Sequence, residues 1–216
     1  MSHFVTTVLI PQSTPPDAVE SAVAALLEPF DENTEVDTYP TGCYCLGNLA
    51  HRAGVAVAER EIGVFDRLRD QYWALPETER PEWSAYVAPY KAVVDRIEQA
   101  HPLYQKPDPD CEDCQGTGTR LTTYNPDSQW DWWIIGGRWE GWMSPTNSVP
   151  VTTLLQDDDK IPFAMVTPDG QWHQRGEMGW FGMTANEKAD EAWAQEVRQL
   201  LQTYPDSLAV ACDLHI

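Results

Sequence analysis

The sequence predicts an α+β fold: a mixed or antiparallel sheet on a ferredoxin-like core, with an inserted antiparallel helical hairpin clasped by zinc. Three observations carry this expectation. Strand-like segments stand at both ends of the chain, each joined to a helix-like one. Two long helical patterns follow one another between residues 48 and 101. Two close cysteine pairs, Cys43/Cys45 and Cys111/Cys114, flank those helical patterns. The expected organisation is one domain, 1–216, with 46–110 as a helical-hairpin insertion.

Residues 3–10 (HFVTTVLI) are rich in β-branched and aromatic types and stop at Pro11, as a strand does. Thr14, Pro15, Pro16 and Asp17 give a helix start. Val19, Val23, Leu26, Leu27 and Phe30 then fall on one helical stripe. Residues 48–75 read as one long helix with Val55, Ala58, Ile62, Phe65 and Tyr72 on its inner face, ended by Pro76. A second helix is expected over 81–101, with Trp83, Val87, Tyr90, Val94 and Ile97 as its seam and a kink or break at Pro89. The short connection makes the two an antiparallel pair. Residues 105–119 form a loop, and 120–183 read as short strands with a turn at residues 168–170 (PDG). Thr184 and Glu187 have capping-box spacing before a helix bearing Trp193, Val197, Leu200 and Leu201. The closing LAVACDLHI is a strand, and the helices are expected on one side of the sheet.

The chain has 216 residues, 42% apolar and 22% charged, which suits one globular core. No apolar run is long enough to span a bilayer, and the start lacks the marks of a signal peptide, so a soluble cytoplasmic protein is expected. The formal net charge is −20, from 34 acidic and 14 basic residues. Such a surface repels phosphate backbones, so direct nucleic-acid binding is disfavoured. The acidity serves either solubility or mimicry of a nucleic acid in a protein groove.

Five cysteines without a secretory signal argue against a disulfide framework. Cys111 and Cys114 form a C-x-x-C knuckle followed by glycines, a spacing that chelates a tetrahedral Zn²⁺. Cys43 and Cys45 supply two more thiolates, because a hairpin brings its two feet together. Zinc would then close a loop of about 65 residues, and four thiolates would make it structural. His51 in place of one thiol, or unliganded or redox thiols, are the alternatives.

Residues 125–142 and 175–183 are dense in tryptophan and glycine, with Asp131, Trp133, Arg138, Glu140, Glu177 and Trp180 among them. Two readings stand. One is an aromatic-stapled core in which Arg138 pairs with Glu140, Glu177 or Asp131. The other is a pocket for a small anionic or planar ligand. In the last strand, alternation sets Asp213 and His215 on one face with Ala209 and Ala211. They are either solvated surface residues or an acid–base or metal pair.

The stretch around Cys111–Cys114 resembles one half of the CxxCxGxG zinc repeat of DnaJ-type chaperones, over about eight residues, without the tandem repeats. The first strand, the block NPDSQWDWWIIGGRW, the block DGQWHQRGEMGWFGM and the CDLHI terminus together resemble an uncharacterised family of phage and prophage proteins. Members of that family carry a lysine where this chain has Gln129, and some lack the cysteine-framed hairpin, which fits an insertion. The resemblance implies a phage-related setting in the bacterial cytoplasm and carries no activity. The functional expectation is an accessory protein that binds a host protein or a small anionic ligand. The alternative is a hydrolase or transferase on a nucleotide-like substrate, using Asp213, His215 and Arg138. A purely structural role is disfavoured, because repeats and fibrous patterning are missing from the sequence.

Overall fold

The structure, a computed structural model, describes residues 2–157, 159–179 and 183–216. In chain order the strands are β1 (His3–Pro11), β2 (Tyr39–Gly42), β3 (Thr119–Thr122), β4 (Trp132–Ile135), β5 (Ser148–Pro150), β6 (Ala164–Val166), β7 (Trp172–Gln174), β8 (Glu177–Met178), β9 (Thr184–Ala185) and β10 (Ser207–His215). The α-helices are α1 (Val19–Leu27), α2 (Asn48–Glu61), α3 (Phe65–Ala74), α4 (Trp83–Ala100), α5 (Val151–Leu154) and α6 (Asp190–Thr203). These elements form two compact units. One comprises the chain up to Asp37 together with Thr123–Ile216; the other is Thr38–Thr122.

The first unit is α+β with a mixed six-stranded sheet in the order β4-β10-β1-β6-β7, β5 also pairing with β10. The first and last strands are neighbours: β1 pairs antiparallel with β10 from His3↔His215 to Pro11↔Ser207. On its other side β1 pairs parallel with β6. That parallel pair departs from the expected ferredoxin-like core, whose split βαβ units keep another strand between parallel ones.

Both faces of this sheet are buried, which corrects the expectation of helices on one side. Phe4, Val8 and Ile10 of β1 and Val210, Cys212 and Leu214 of β10 pack with Val23 and Leu27 of α1 and with Trp130. On the opposite face Leu9, Met165 and Ala209 meet Val151 and Leu154 of α5 and Trp193, Val197 and Leu201 of α6. The small Ala209 leaves room for the Trp193 indole, whose Nε1 donates to the Pro162 carbonyl at 2.7 Å. The expected capping box is also corrected. Thr184 sits in β9 and its hydroxyl meets Glu187, while α6 begins only at Asp190.

In the second unit the expected long helix over 48–75 is two helices. α2 ends at Glu61, and Gly63, at φ +134°, turns the chain through a conformation that side chains rarely take. The second expected helix is α4, which runs unbroken through Pro89. His51 meets Glu98 and Gly54 faces Val94, so α2 and α4 run in opposite directions. Ala58, Tyr90 and Val94 form the buried centre, flanked by Val55, Phe65, Leu68 and Val93.

Gly54 sets how closely those helices approach. A Cβ there would lie 2.7 Å from the Val94 carbonyl oxygen and 3.1 Å from its Cα. Alanine in a helix gains about 1 kcal/mol over glycine, but overpacking against backbone costs about 1–3 kcal/mol. Gly54→Ala should therefore lower the stability of this unit, measured by hydrogen exchange of the α2 and α4 amides. A rise in protection would show that the packing relaxes freely.

Candidate metal centre and a histidine–aspartate cluster

The cysteine quartet is built by two turns and a two-stranded ribbon. β2 and β3 pair antiparallel from Tyr39↔Thr122 to Gly42↔Thr119, and Cys43 follows directly on β2. The Cys43 N–H donates to the Gly118 carbonyl at 2.9 Å, tying the two loops together. Each loop turns tightly: Leu46 N–H bonds the Cys43 carbonyl, and Gln115 N–H bonds the Cys111 carbonyl.

The ligand atoms of Cys43, Cys45, Cys111 and Cys114 all lie within 4.8 Å of one another, an arrangement that can hold a metal ion. The Cys43 and Cys111 sulfurs are 3.6 Å apart, and those of Cys45 and Cys114 are 3.5 Å apart. Three of the thiols are buried and Cys111 is half-buried. His51, the alternative fourth ligand, pairs instead with Glu98 at 3.1 Å.

The thiols divide electrostatically. Burial pushes Cys45 up to about 12, against the pull of the Asp108 backbone N–H. At Cys43 the Cys45 backbone N–H favours the thiolate, but burial and the Cys111 and Cys114 thiols outweigh it and leave the group raised. Burial opposes the Cys114 thiolate too, yet the Gly118 N–H at 3.4 Å and the three neighbouring thiols bring it down to about 7. Cys114 thus ionises before Cys43 and Cys45, which hold their protons unless a cation supplies the missing positive charge. The fifth cysteine, Cys212, lies in the sheet core, and burial alone pushes it up.

In the first unit the residues of the tryptophan–glycine blocks divide between a histidine–aspartate cluster and loop contacts. Asp213 is 1% exposed. It does not pair with His215. Its Oδ1 bonds His3 Nδ1 at 2.8 Å, and its Oδ2 accepts the Arg138 backbone N–H at 2.9 Å. Gly137 makes that second bond sterically feasible, because a Cβ there would lie 2.6 Å from both Cβ and Oδ2 of Asp213. His215 Nδ1 bonds Asp131 Oδ1 at 2.5 Å.

The partners expected for Arg138 are engaged elsewhere. Glu140 accepts from Asn147 Nδ2 at 2.8 Å, and Glu177 from Asn186 Nδ2 at 3.0 Å. Arg138 is exposed, and among the described residues its guanidinium has no ion-pair partner. Trp133 packs at the margin of the core, and Trp180 lies outside the described residues.

His3 is the site residue that sequence reasoning missed. Its signal was available: a histidine near the start of the first strand meets one near the end of the last when those strands pair antiparallel. Among the described residues no helix is long and apolar enough to cross a membrane. No protein-family model, curated protein or solved structure matches this chain.

Proposed function

We propose that the chain is a zinc-structured binding protein, a phage-type accessory factor of the bacterial cytoplasm that engages a host protein. The carrying observation is the sulfur quartet. A Zn²⁺ at about 2.3 Å from four tetrahedral sulfurs sets neighbouring sulfurs about 3.8 Å apart. The Cys43–Cys111 and Cys45–Cys114 separations, 3.6 and 3.5 Å, lie close to that. Four thiolates leave no open position, so the ion is structural and its role is to hold the ribbon and the loop after α4 together. The phage setting rests on the family resemblance alone.

Binding is favoured over catalysis because the two glutamates expected beside Arg138 are engaged elsewhere. Of Arg138, Glu140, Glu177, Asp213 and His215, the two glutamates serve loop contacts, and Asp213 and His215 have different partners. The second unit meanwhile exposes apolar side chains beside the thiols. Tyr44 is 78% exposed and Leu121 69%, with Arg120 stacked on the Tyr44 ring. A groove on the α2/α4 face is lined by Val55, Phe65 and Val94 and by three carboxylates, Glu59, Asp95 and Glu98, against one lysine, Lys91, a balance that suits a basic, partly apolar partner. A small anionic ligand at the exposed Arg138 is the other form of the binding reading.

The test couples metal content to capture. Protein purified without added zinc should carry about one zinc per chain. It should retain a partner from infected host lysate that Tyr44→Ala and Leu121→Ala release. A zinc ratio near zero removes the metal claim, and capture indifferent to both substitutions removes the surface claim.

The enzymatic reading, a hydrolase or transferase on a nucleotide-like substrate, is favoured by one observation: a buried carboxylate that orients an imidazole. In that reading His3 joins Asp213 as the oriented base, and Arg138 holds the anion.

A further inference from the structure

We propose that His3 and His215 form a second cation site, distinct from the cysteine quartet, for a borderline divalent transition-metal ion. The ion is held by the two Nε2 atoms and keeps open positions for water or an oxygen-donor ligand.

The site follows from register. His3 and His215 are direct partners across the β1/β10 ladder, so their side chains share one face of the sheet. Their ring centres are 4.9 Å apart. Two imidazoles bound through Nε2 to one tetrahedral ion, with N at about 2.0–2.1 Å, have ring centres about 5 Å apart.

Both rings are oriented in the same sense. Asp213 takes Nδ1 of His3, and Asp131 takes Nδ1 of His215. A carboxylate on Nδ1 fixes the proton there and leaves Nε2 as a lone pair, the arrangement found behind metal-ligating histidines. The Asp213 carboxylate is itself held by the Arg138 N–H, and the Asp131 backbone N–H donates to the His215 carbonyl at 2.9 Å, which fixes that residue beside the ring.

Among the described residues, His215 Nε2 is buried without a hydrogen-bond partner. A buried acceptor left without a partner is unfavourable, and a cation at the lone pair satisfies it. Imidazole nitrogen suits Zn²⁺, Ni²⁺ and Cu²⁺ better than Mg²⁺ or Ca²⁺. Among the described residues the only group of three or more closely spaced ligand side chains is the cysteine quartet. The histidine pair therefore supplies two ligands, and the rest of the shell belongs to solvent or a bound molecule. Trp132, 47% exposed, stands edge-on to His3 with ring centres 6.1 Å apart and reports on the site.

The test titrates Ni²⁺ into the full chain already saturated with zinc at its thiols, followed by calorimetry and Trp fluorescence. Saturable binding of one equivalent is expected. His3→Ala and His215→Ala should each weaken it at least about tenfold, and Asp131→Asn should weaken it about 10–100-fold, as loss of an orienting carboxylate does. No saturable binding, or affinity unchanged in both histidine variants, overturns the proposal. If a variant fails to fold, the unmodified chain decides. One equivalent of Cu²⁺ should show electron-spin-echo modulation from two imidazoles, and modulation from none or one overturns the proposal. Zinc content measured before the titration separates this result from any failure of the thiolate site.

Discussion

Chelation of the metal proposed at the thiol quartet should unfold residues 38–122 while leaving the six-stranded sheet intact. The reason is the poverty of the second unit's own core. Ala58, Tyr90 and Val94 are its central buried cluster, and its β-structure is the two-stranded β2/β3 ribbon. Such a ribbon is marginal alone, and a small domain without a large core depends on a staple. A structural zinc contributes apparent free energies of about 10–16 kcal/mol, well above what so few buried side chains supply. Cys114→Ser should act in the same direction, because Cys114 is the sulfur whose thiolate the Gly118 N–H favours. Hydrogen exchange read by mass spectrometry separates the two units. Loss of protection in 48–100 with unchanged protection in β1 and β10 is expected. Unchanged exchange throughout after complete metal removal would show that the ion is dispensable for folding.

Asp213→Ala should be the most damaging single substitution in the first unit outside its apolar core. The carboxylate is 1% exposed and satisfies two donors, His3 Nδ1 and the Arg138 backbone N–H. Alanine leaves both without a partner and opens a void beneath Gly137, which lies directly on Asp213. A buried donor left without its acceptor costs about 1–3 kcal/mol, two are left here, and in a chain of this length each kcal/mol lowers Tm by about 2–4 °C. A loss of about 10 °C is therefore expected by calorimetry. Asp213→Asn keeps one acceptor and should lose less. Equal losses for the two variants would mean that shape, and not hydrogen bonding, is what the site needs.

Much of this was legible in local pattern. The strand at 3–10, the stripe from Val19 to Phe30, the helix around Trp193 and the closing strand all correspond to observed elements, because their apolar spacing matches one periodicity only. The cysteine pairs were legible because C-x-x-C spacing is a property of a few bonded residues. Other features depended on contacts that sequence distance hides. The break at Gly63 was concealed by apolar spacing that continues into α3 at nearly the helical period. Gly54, a poor helix former, has its role from the Val94 backbone that it faces across the helix pair. Asp213 and His215, adjacent on one strand face, read as a pair, but each found its partner on a neighbouring strand or loop.

The sequence by itself determined the α+β class, the flanking strands and the four thiols as a candidate ligand set, since each depends on residue type and short-range spacing. Only the tertiary structure decided that helices cover both faces of the sheet, that β1 and β6 are adjacent and parallel, and that His3 joins Asp213. Those outcomes turn on which distant strands become neighbours. Many strand orders bury the same apolar stripes equally well, and the choice among them is made by the whole chain packing at once.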